Sequence, residues 1–135
     1  MKAIITLALL ALTIVSCTKE NTVPPFTLHD LSLQLTGTYT GTRYCQSGSG
    51  INGYTYDTAY NVQLPVSFLS DSVLVIEGYE LSFAGNLDAH NYYYYKPASG
   101  GGINALWDST GHNLTFSFWS GGLGGGGGCT YVVSK

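Results

Sequence analysis

The side chains best suited to metal chemistry in this sequence are its three histidines, each of which has a carboxylate close by in the chain. The pairs are His29 with Asp30, His90 with Asp88, and His112 with Asp108. Imidazole and carboxylate groups together suit zinc. No pair has the spacing of a known metal motif, and each lies in a predicted turn or near a chain end, where polar residues are expected anyway. We therefore predict no metal site and no cofactor.

Hydrolytic chemistry has little support in the sequence. Ser47 and Ser49 lie in a segment rich in Gly and Ser, but the G-x-S-x-G nucleophile elbow is missing. Glu77 and Glu80 flank a predicted hairpin turn, where both carboxylates would be solvated and would not form an acid/base pair. The few basic residues are too scattered to follow a nucleic-acid backbone. We therefore predict that the protein is not an enzyme and does not bind nucleic acid.

The glycine-rich run Gly121–Gly128 contains the dinucleotide-binding spacing. Gly122, Gly124 and Gly127 match G-x-G-x-x-G, but that motif needs a helix after it, and residues 129–135 predict a strand. Two interpretations remain for this run. It is either a mobile hairpin loop or a flat strand in which only glycine lets another backbone approach.

Four consecutive tyrosines, Tyr92–Tyr95, are the most unusual side chains of the chain. In a strand, alternate residues face opposite ways, so Tyr92 and Tyr94 share one face while Tyr93 and Tyr95 share the other. One pair can pack in a core, and the other must lie on the surface or line a cavity. The outer pair, together with Trp107 or Trp119, would stack on sugar rings or on a partner protein. The candidate binding residues are therefore Tyr92, Tyr93, Tyr94, Tyr95, Trp107 and Trp119. The alternative is that tyrosine is simply a good strand residue.

Three short sequences resemble the Asp-Ser/Thr acceptor for O-glycosylation of exported proteins in Bacteroidetes. They are Asp57-Thr58-Ala59, Asp71-Ser72-Val73 and Asp108-Ser109-Thr110. The resemblance implies glycans on Thr58, Ser72 and Ser109. Ordinary turn chemistry explains such dipeptides equally well.

The chain opens with the features of an export signal. Lys2 is followed by an apolar stretch from Ala3 to Val15, which has the length of a secretory signal and is too short to span a bilayer. Its end, Ile14–Cys17, resembles the lipobox of bacterial lipoproteins. That resemblance implies cleavage before Cys17, lipid on its thiol, and anchorage in the cell envelope, at the outer membrane, facing either the periplasm or the outside. We expect a signal peptide over 1–16, a lipidated tether over 17–25 and one domain over 26–135.

Three features of the sequence also resemble those of small all-β lipoproteins of Bacteroidetes-type bacteria. The similarity rests on the lipobox, on Gly37, Tyr39 and Gly41, and on the glycine-rich last hairpin. It implies no activity.

Assigning Cys17 to lipid leaves Cys45 and Cys129 as an even pair in an oxidising compartment, and we predict a disulfide between them. It would place the first long strand beside the last. Two free buried thiols are the alternative.

Alternating polar and apolar residues indicate an all-β domain. Leu31–Cys45 alternates with period two and predicts the first strand. From Tyr54 to Phe68 the tyrosines and the later aliphatic residues occupy alternate positions, and so a single face, of a second long strand or a bent pair, with an edge or a break at Pro65. No helical stripe follows the signal. We predict roughly seven to eight strands in an antiparallel sandwich or a small meander barrel, with first and last strands adjacent.

Within the envelope we expect a non-catalytic domain that binds a glycan or a protein through an aromatic face. The alternatives are a structural component without a ligand and a lipocalin-like carrier of an apolar ligand.

Overall fold

A computed structural model describes residues 25–87 and 90–135 of the chain. Within these residues lie one helix and eight strands. In chain order they are α1 (Leu28–Leu35), β1 (Gly37–Ser49), β2 (Gly53–Ser70), β3 (Val73–Ile76), β4 (Tyr79–Phe83), β5 (Asn91–Ala98), β6 (Gly101–Asp108), β7 (Asn113–Gly122) and β8 (Gly125–Ser134). The predicted signal peptide over 1–16, the tether up to residue 24, and Asp88 lie outside the described residues.

The segment before β1 is a helix, so the prediction of a strand that starts at Leu31 is wrong for its first residues. Leu31 and Leu35 are fully buried while Leu33 is 64% exposed, which is the i, i+4 pattern of a helix. Thr27 starts the helix with a capping box: its hydroxyl accepts from the Asp30 N–H, and the Asp30 carboxylate accepts from the Thr27 N–H at 2.9 Å. The Thr27 side chain and backbone, both hydrogen-bonded to the carboxylate, lower the pKa of Asp30.

The last residue of the chain fastens this helix to the end of the barrel. Lys135 Nζ donates to the carbonyl oxygens of Gln34 at 3.0 Å and Thr36 at 2.6 Å. A cation there complements the negative end of the helix dipole. Tyr39, inside the barrel, donates its hydroxyl to the Leu35 carbonyl at 3.0 Å. Helix α1 therefore closes one end of the barrel.

The eight strands form a closed antiparallel barrel in meander order, which confirms the predicted fold class and decides for a barrel over a sandwich. β8 returns to pair with β1, in a register that places Cys45 directly opposite Cys129. The two cysteines form the predicted disulfide. It joins residues 84 positions apart in the sequence and links the first strand to the last.

A β-bulge in β2 reverses the faces of the strand. Asn61 is the extra residue, since Tyr60 and Val62 pair with consecutive residues of β1; its φ is 56°. Tyr60, before the bulge, is 74% exposed, and Leu64, after it, is fully buried. One inserted residue shifts the alternation by one position. The single alternating face predicted over 54–68 is therefore two faces, pointing outward up to residue 60 and inward from residue 62.

Side chains fill the interior of the barrel. The largest of those that are fully buried are Trp107, Tyr39, Tyr94 and Phe116. Burial raises the pKa of Tyr39 to about 12 and also raises that of Tyr94.

Candidate aromatic binding face

The outer surface of the barrel carries a group of exposed aromatic side chains on β1, β2, β5 and β7. Tyr44 and Gln46 flank Cys45, whose disulfide partner Cys129 packs against the core, so both neighbours point outward. The outward positions of β2 before its bulge and of β7 continue this surface. We define the aromatic face as Tyr44, Tyr54, Tyr56, Tyr60, Tyr95 and Trp119, all of which are exposed.

Strand register places Trp119 and Tyr56 in one row across this face. Trp119 is opposite Gly128, Gly128 is opposite Gln46, and Gln46 is opposite Tyr56. Neighbouring strands lie about 4.8 Å apart, so the two aromatic residues are separated by roughly 14 Å across the sheet. The row therefore has an aromatic ring near each end and an amide and a glycine between them.

The face extends from Trp119 in the other direction to β5. Trp119 is opposite Gly102 on β6, and a methyl group on Gly102 would lie 3.3 Å from Cε2 of Tyr95. The Tyr95 ring in turn stacks on the Tyr93 ring, with centroids 6.2 Å apart and an interplanar angle of 14°. Exposed aromatic rings thus occur on four of the six strands from β5 round to β2, which are β5, β7, β1 and β2.

Glycines form the floor on which Trp119 rests. A methyl group on Gly128 would collide with the carbonyl oxygen of Phe118 and lie 3.0 Å from Cε3 of Trp119. One on Gly121 would lie 3.4 Å from Trp119 Nε1. Only residues without a side chain leave this space to the indole ring.

Two depressions, each of about 350 Å³, adjoin Trp119. The first is lined by Tyr44, Cys45, Gln46, Tyr56, Ser117, Phe118, Trp119, Gly128, Cys129 and Thr130. The second is lined by Gly50, Tyr54, Trp119 and Gly121–Gly126. In the first, the hydroxyl oxygens of Ser117 and Thr130 lie 3.0 Å apart. Aromatic walls with a few hydroxyl and amide groups are the composition of a small-ligand site, and this volume lies at the lower end of the range for such sites.

The charged residues next to Tyr44 and Tyr56 point to the opposite side of the sheet. Arg43 and Asp57 alternate with Tyr44 and Tyr56, and the Arg43 guanidinium donates to Asp57 Oδ2 at 3.0 Å. This hydrogen bond, with a second one involving Tyr131, raises the pKa of Arg43. The six residues that define the aromatic face carry no charge at neutral pH.

The structure divides the six predicted binding residues into two groups. Tyr92, Tyr94 and Trp107 are 6%, 0% and 1% exposed, and their rings fill the barrel interior. They are core residues and not part of a surface. Tyr93 is half-buried, while Tyr95 and Trp119 are exposed and belong to the outer surface. That these residues bind a ligand stays a prediction.

The histidines and carboxylates considered for metal binding are held in separate contacts. His29 Nδ1 lies 3.1 Å from Asp71 Oδ1, while Asp30 caps the helix. Asp108 accepts from the hydroxyl and N–H of Thr110 at 2.6 and 2.9 Å, which lowers its pKa. Within residues 25–87 and 90–135, no three His, Cys, Asp or Glu side chains come together in a way that could hold a metal ion.

The three predicted glycosylation residues differ in accessibility. Thr58 is exposed on β2, and Ser72 is exposed in the turn before β3. Ser109 is half-buried, and its hydroxyl donates to the His90 carbonyl at 3.1 Å. Their modification stays a prediction.

The glycine-rich run forms the end of β7, a short turn and the start of β8. A strand follows it in place of the helix that a phosphate loop needs. A methyl group on Gly126 would lie 2.6 Å from the Gly121 Cα, so this part of the run is the flat strand that the sequence offered as one of two interpretations.

Sequence reasoning missed Tyr44, Tyr54, Tyr56 and Tyr60 as surface residues. Alternation already placed Tyr44 opposite to Tyr39. Tyr54, Tyr56 and Tyr60 were expected to share a face with the later aliphatic residues of β2, such as Leu64. The signal for the reversal is the change from tyrosine to valine and leucine at Asn61, a residue type that tolerates positive φ.

Comparisons with protein-family models, with curated proteins and with solved structures found no match to this chain. Among the described residues, no helix has both the length and the apolar character needed to cross a membrane.

Proposed function

We propose that this protein is a lipid-anchored, non-catalytic envelope protein that binds a neutral glycan on the aromatic face. The row of Trp119, Gly128, Gln46 and Tyr56 is the observation that carries the proposal. It combines exposed rings, hydrogen-bonding side chains and a glycine floor in one surface.

A sugar ring matches this surface in both of its chemical properties. The C–H groups on one side of a pyranose are apolar and gain by covering the exposed indole of Trp119, while its hydroxyl groups need partners with both donors and acceptors. Gln46, Ser117 and Thr130 supply such groups beside the indole ring. The row is also longer than one sugar ring, which favours an oligosaccharide.

The charge of the site favours a neutral ligand over an acidic one. Arg43, the cation next to Tyr44, is paired with Asp57 on the other side of the sheet, and Lys96, next to Tyr95, alternates to the other side of β5. An acidic polysaccharide would find no cation on the aromatic face to offset the loss of its hydration.

The packed interior makes a carrier of an apolar ligand the weaker alternative. Trp107, Tyr39, Tyr94 and Phe116 occupy the space that a lipocalin-like carrier would keep for its ligand. A purely structural role leaves the contiguous aromatic surface without a purpose, although such a surface also suits a protein partner.

Native electrophoresis in gels that contain soluble polysaccharides tests the glycan proposal. We expect neutral polysaccharides to retard the full chain and acidic ones to leave its mobility unchanged. The Trp119→Ala variant should migrate without retardation, while Phe26→Ala, which removes an exposed aromatic ring that contacts Tyr92, should behave like the wild type. Equal mobility in every gel would contradict the proposal.

The lipid anchor is tested independently of the glycan. A Cys17→Ser variant, expressed in a bacterial host that processes lipoproteins, should incorporate no labelled fatty acid and should move from the membrane fraction to the soluble fraction. The Cys45→Ala/Cys129→Ala double variant should keep the label. Membrane association of Cys17→Ser equal to that of the wild type would contradict the anchor.

A further inference from the structure

The strand β2 has a long free edge. β3 pairs with β2 only from Val66 to Ser70, so among the described residues Gly53–Pro65 has a strand neighbour on one side only, which is β1. The backbone N–H and C=O groups that point away from β1 are open to pairing with another chain. Tyr56 and Tyr60, 75% and 74% exposed, stand on this edge strand.

The free edge on β5 is protected in a way that β2 is not. β5 pairs with β4 only at Tyr94 and Tyr95, which leaves Lys96–Ala98 without a neighbour on that side among the described residues. That edge is short and carries Lys96 and Pro97, two residue types that block edge pairing. On β2, the proline and the bulge lie beyond residue 60, and the section Tyr54–Tyr60 contains neither lysine nor proline.

We propose that Tyr54–Tyr60 pairs with the same section of a second copy of this chain, antiparallel and about a two-fold axis at Thr58. In this register Thr58 is opposite Thr58 of the second copy, and Tyr56 is opposite its Tyr60. Aromatic pairs and threonine pairs directly opposite each other stabilise a sheet. An isologous contact of this kind closes as a dimer and does not continue into a fibre.

The section Tyr54–Tyr60 is complementary to itself in this register, which favours the second copy as the occupant, and charge excludes one of the neighbouring registers. Asp57 is opposite Ala59 in the proposed pairing, whereas an axis at residue 57 would oppose Asp57 to its own copy and place like charges together. Each Asp57 is already paired with Arg43 of its own chain, so the contact leaves no carboxylate without a partner. The contact would also join two aromatic faces into one surface, but it does not depend on glycan binding.

Cysteine cross-linking tests the pairing in the full chain. The Thr58→Cys variant should form roughly tenfold more disulfide-linked dimer under mild oxidation than Glu80→Cys, because directly opposite residues have Cβ atoms about 5 Å apart. Glu80 is the matched control, since it is exposed on β4, away from the proposed contact. Adding Ala59→Asp to Thr58→Cys should abolish the cross-link, because the new carboxylate would lie directly opposite Asp57 of the second copy, and like charges in that position destabilise the pairing.

The mass of the wild-type protein provides a measurement that needs no variant. Sedimentation of the full chain in detergent should give the mass of a dimer and a monomer–dimer equilibrium on dilution. A monomer at all concentrations, or equal cross-linking of Thr58→Cys and Glu80→Cys, would overturn the proposal. Neither result would bear on glycan binding, which the polysaccharide gels measure separately.

Discussion

Trp119 and Gly128 lie directly opposite each other on β7 and β8, and the absence of a side chain on Gly128 gives the indole ring its position. A methyl group there would lie 3.0 Å from Trp119 Cε3. The ring rests against β8 and is still 41% exposed. The glycine-rich run, through Gly128, thus leaves the space that Trp119 of the aromatic face occupies.

Replacing Gly128 by alanine should destabilise the barrel. The new methyl group would collide with the Phe118 carbonyl oxygen and displace the Trp119 ring, and such overpacking costs roughly 1–3 kcal/mol. Gly124→Ala is the matched control, since a methyl group there meets no atom within 4 Å. Urea unfolding followed by circular dichroism measures both. Equal stability of the two variants would show that the contact does not exist.

Two leucine substitutions distinguish helix α1 from the strand that the sequence predicted for the same residues. Leu35→Ala should lower the free energy of unfolding by about 2–5 kcal/mol because Leu35 is fully buried. Leu33→Ala should change it by less than about 0.5 kcal/mol, since Leu33 is exposed. A strand would bury both leucines on one face, so similar losses for the two variants would contradict the helix.

The helix before β1 limited what the sequence could predict about the fold. Strand alternation and the cysteine pair were sufficient to place the first strand beside the last, since both depend on regular pairing. The leucines at 31, 33 and 35 fit a strand face, and only tertiary burial of Leu31 and Leu35 selects a helix. Propensity and pattern do not decide such short segments.

The candidate site was predicted only in part, for a related reason. Strand alternation predicts that Tyr93 and Tyr95 share a face and that one of the two tyrosine pairs is exposed, but it does not say which pair. Tyr54, Tyr56 and Tyr60 do not follow from alternation, because one inserted residue at Asn61 reverses the faces, and the sequence marks a bulge only weakly. Whether Trp107 or Trp119 is the buried indole depends on which face of its strand meets the core, and the pattern around Tyr92–Tyr95 left that open.

Alkaline pH should destabilise the protein through Tyr39. Its pKa is raised from 10.0 to about 12 by burial, so below pH 10 the phenol is protonated in both folded and unfolded chains. Between pH 10 and about 12 the unfolded chain releases this proton while the folded chain retains it, and stability is lost as the pH rises. This difference in pKa between the folded and unfolded chains corresponds to a loss of stability of about 3 kcal/mol. The raised pKa of Tyr94 acts in the same direction.

The Tyr39→Phe variant is the control for this effect. It loses the hydrogen bond to the Leu35 carbonyl, which costs about 1 kcal/mol at neutral pH, but its stability should fall less steeply at alkaline pH. Urea unfolding at about pH 9 and about pH 11 measures the difference. A Tyr39→Phe profile parallel to that of the wild type would contradict this assignment.

The most direct measurement of the central claim is the affinity of the full chain for the neutral oligosaccharide that retards it best, determined by isothermal titration calorimetry. We predict that Trp119→Ala weakens binding by about 30-fold, the effect of losing a contact worth about 2 kcal/mol, that Tyr56→Ala weakens it in the same direction, and that Phe26→Ala leaves it unchanged. Unchanged affinity of Trp119→Ala, or an equal loss in Phe26→Ala, would contradict glycan binding on the aromatic face.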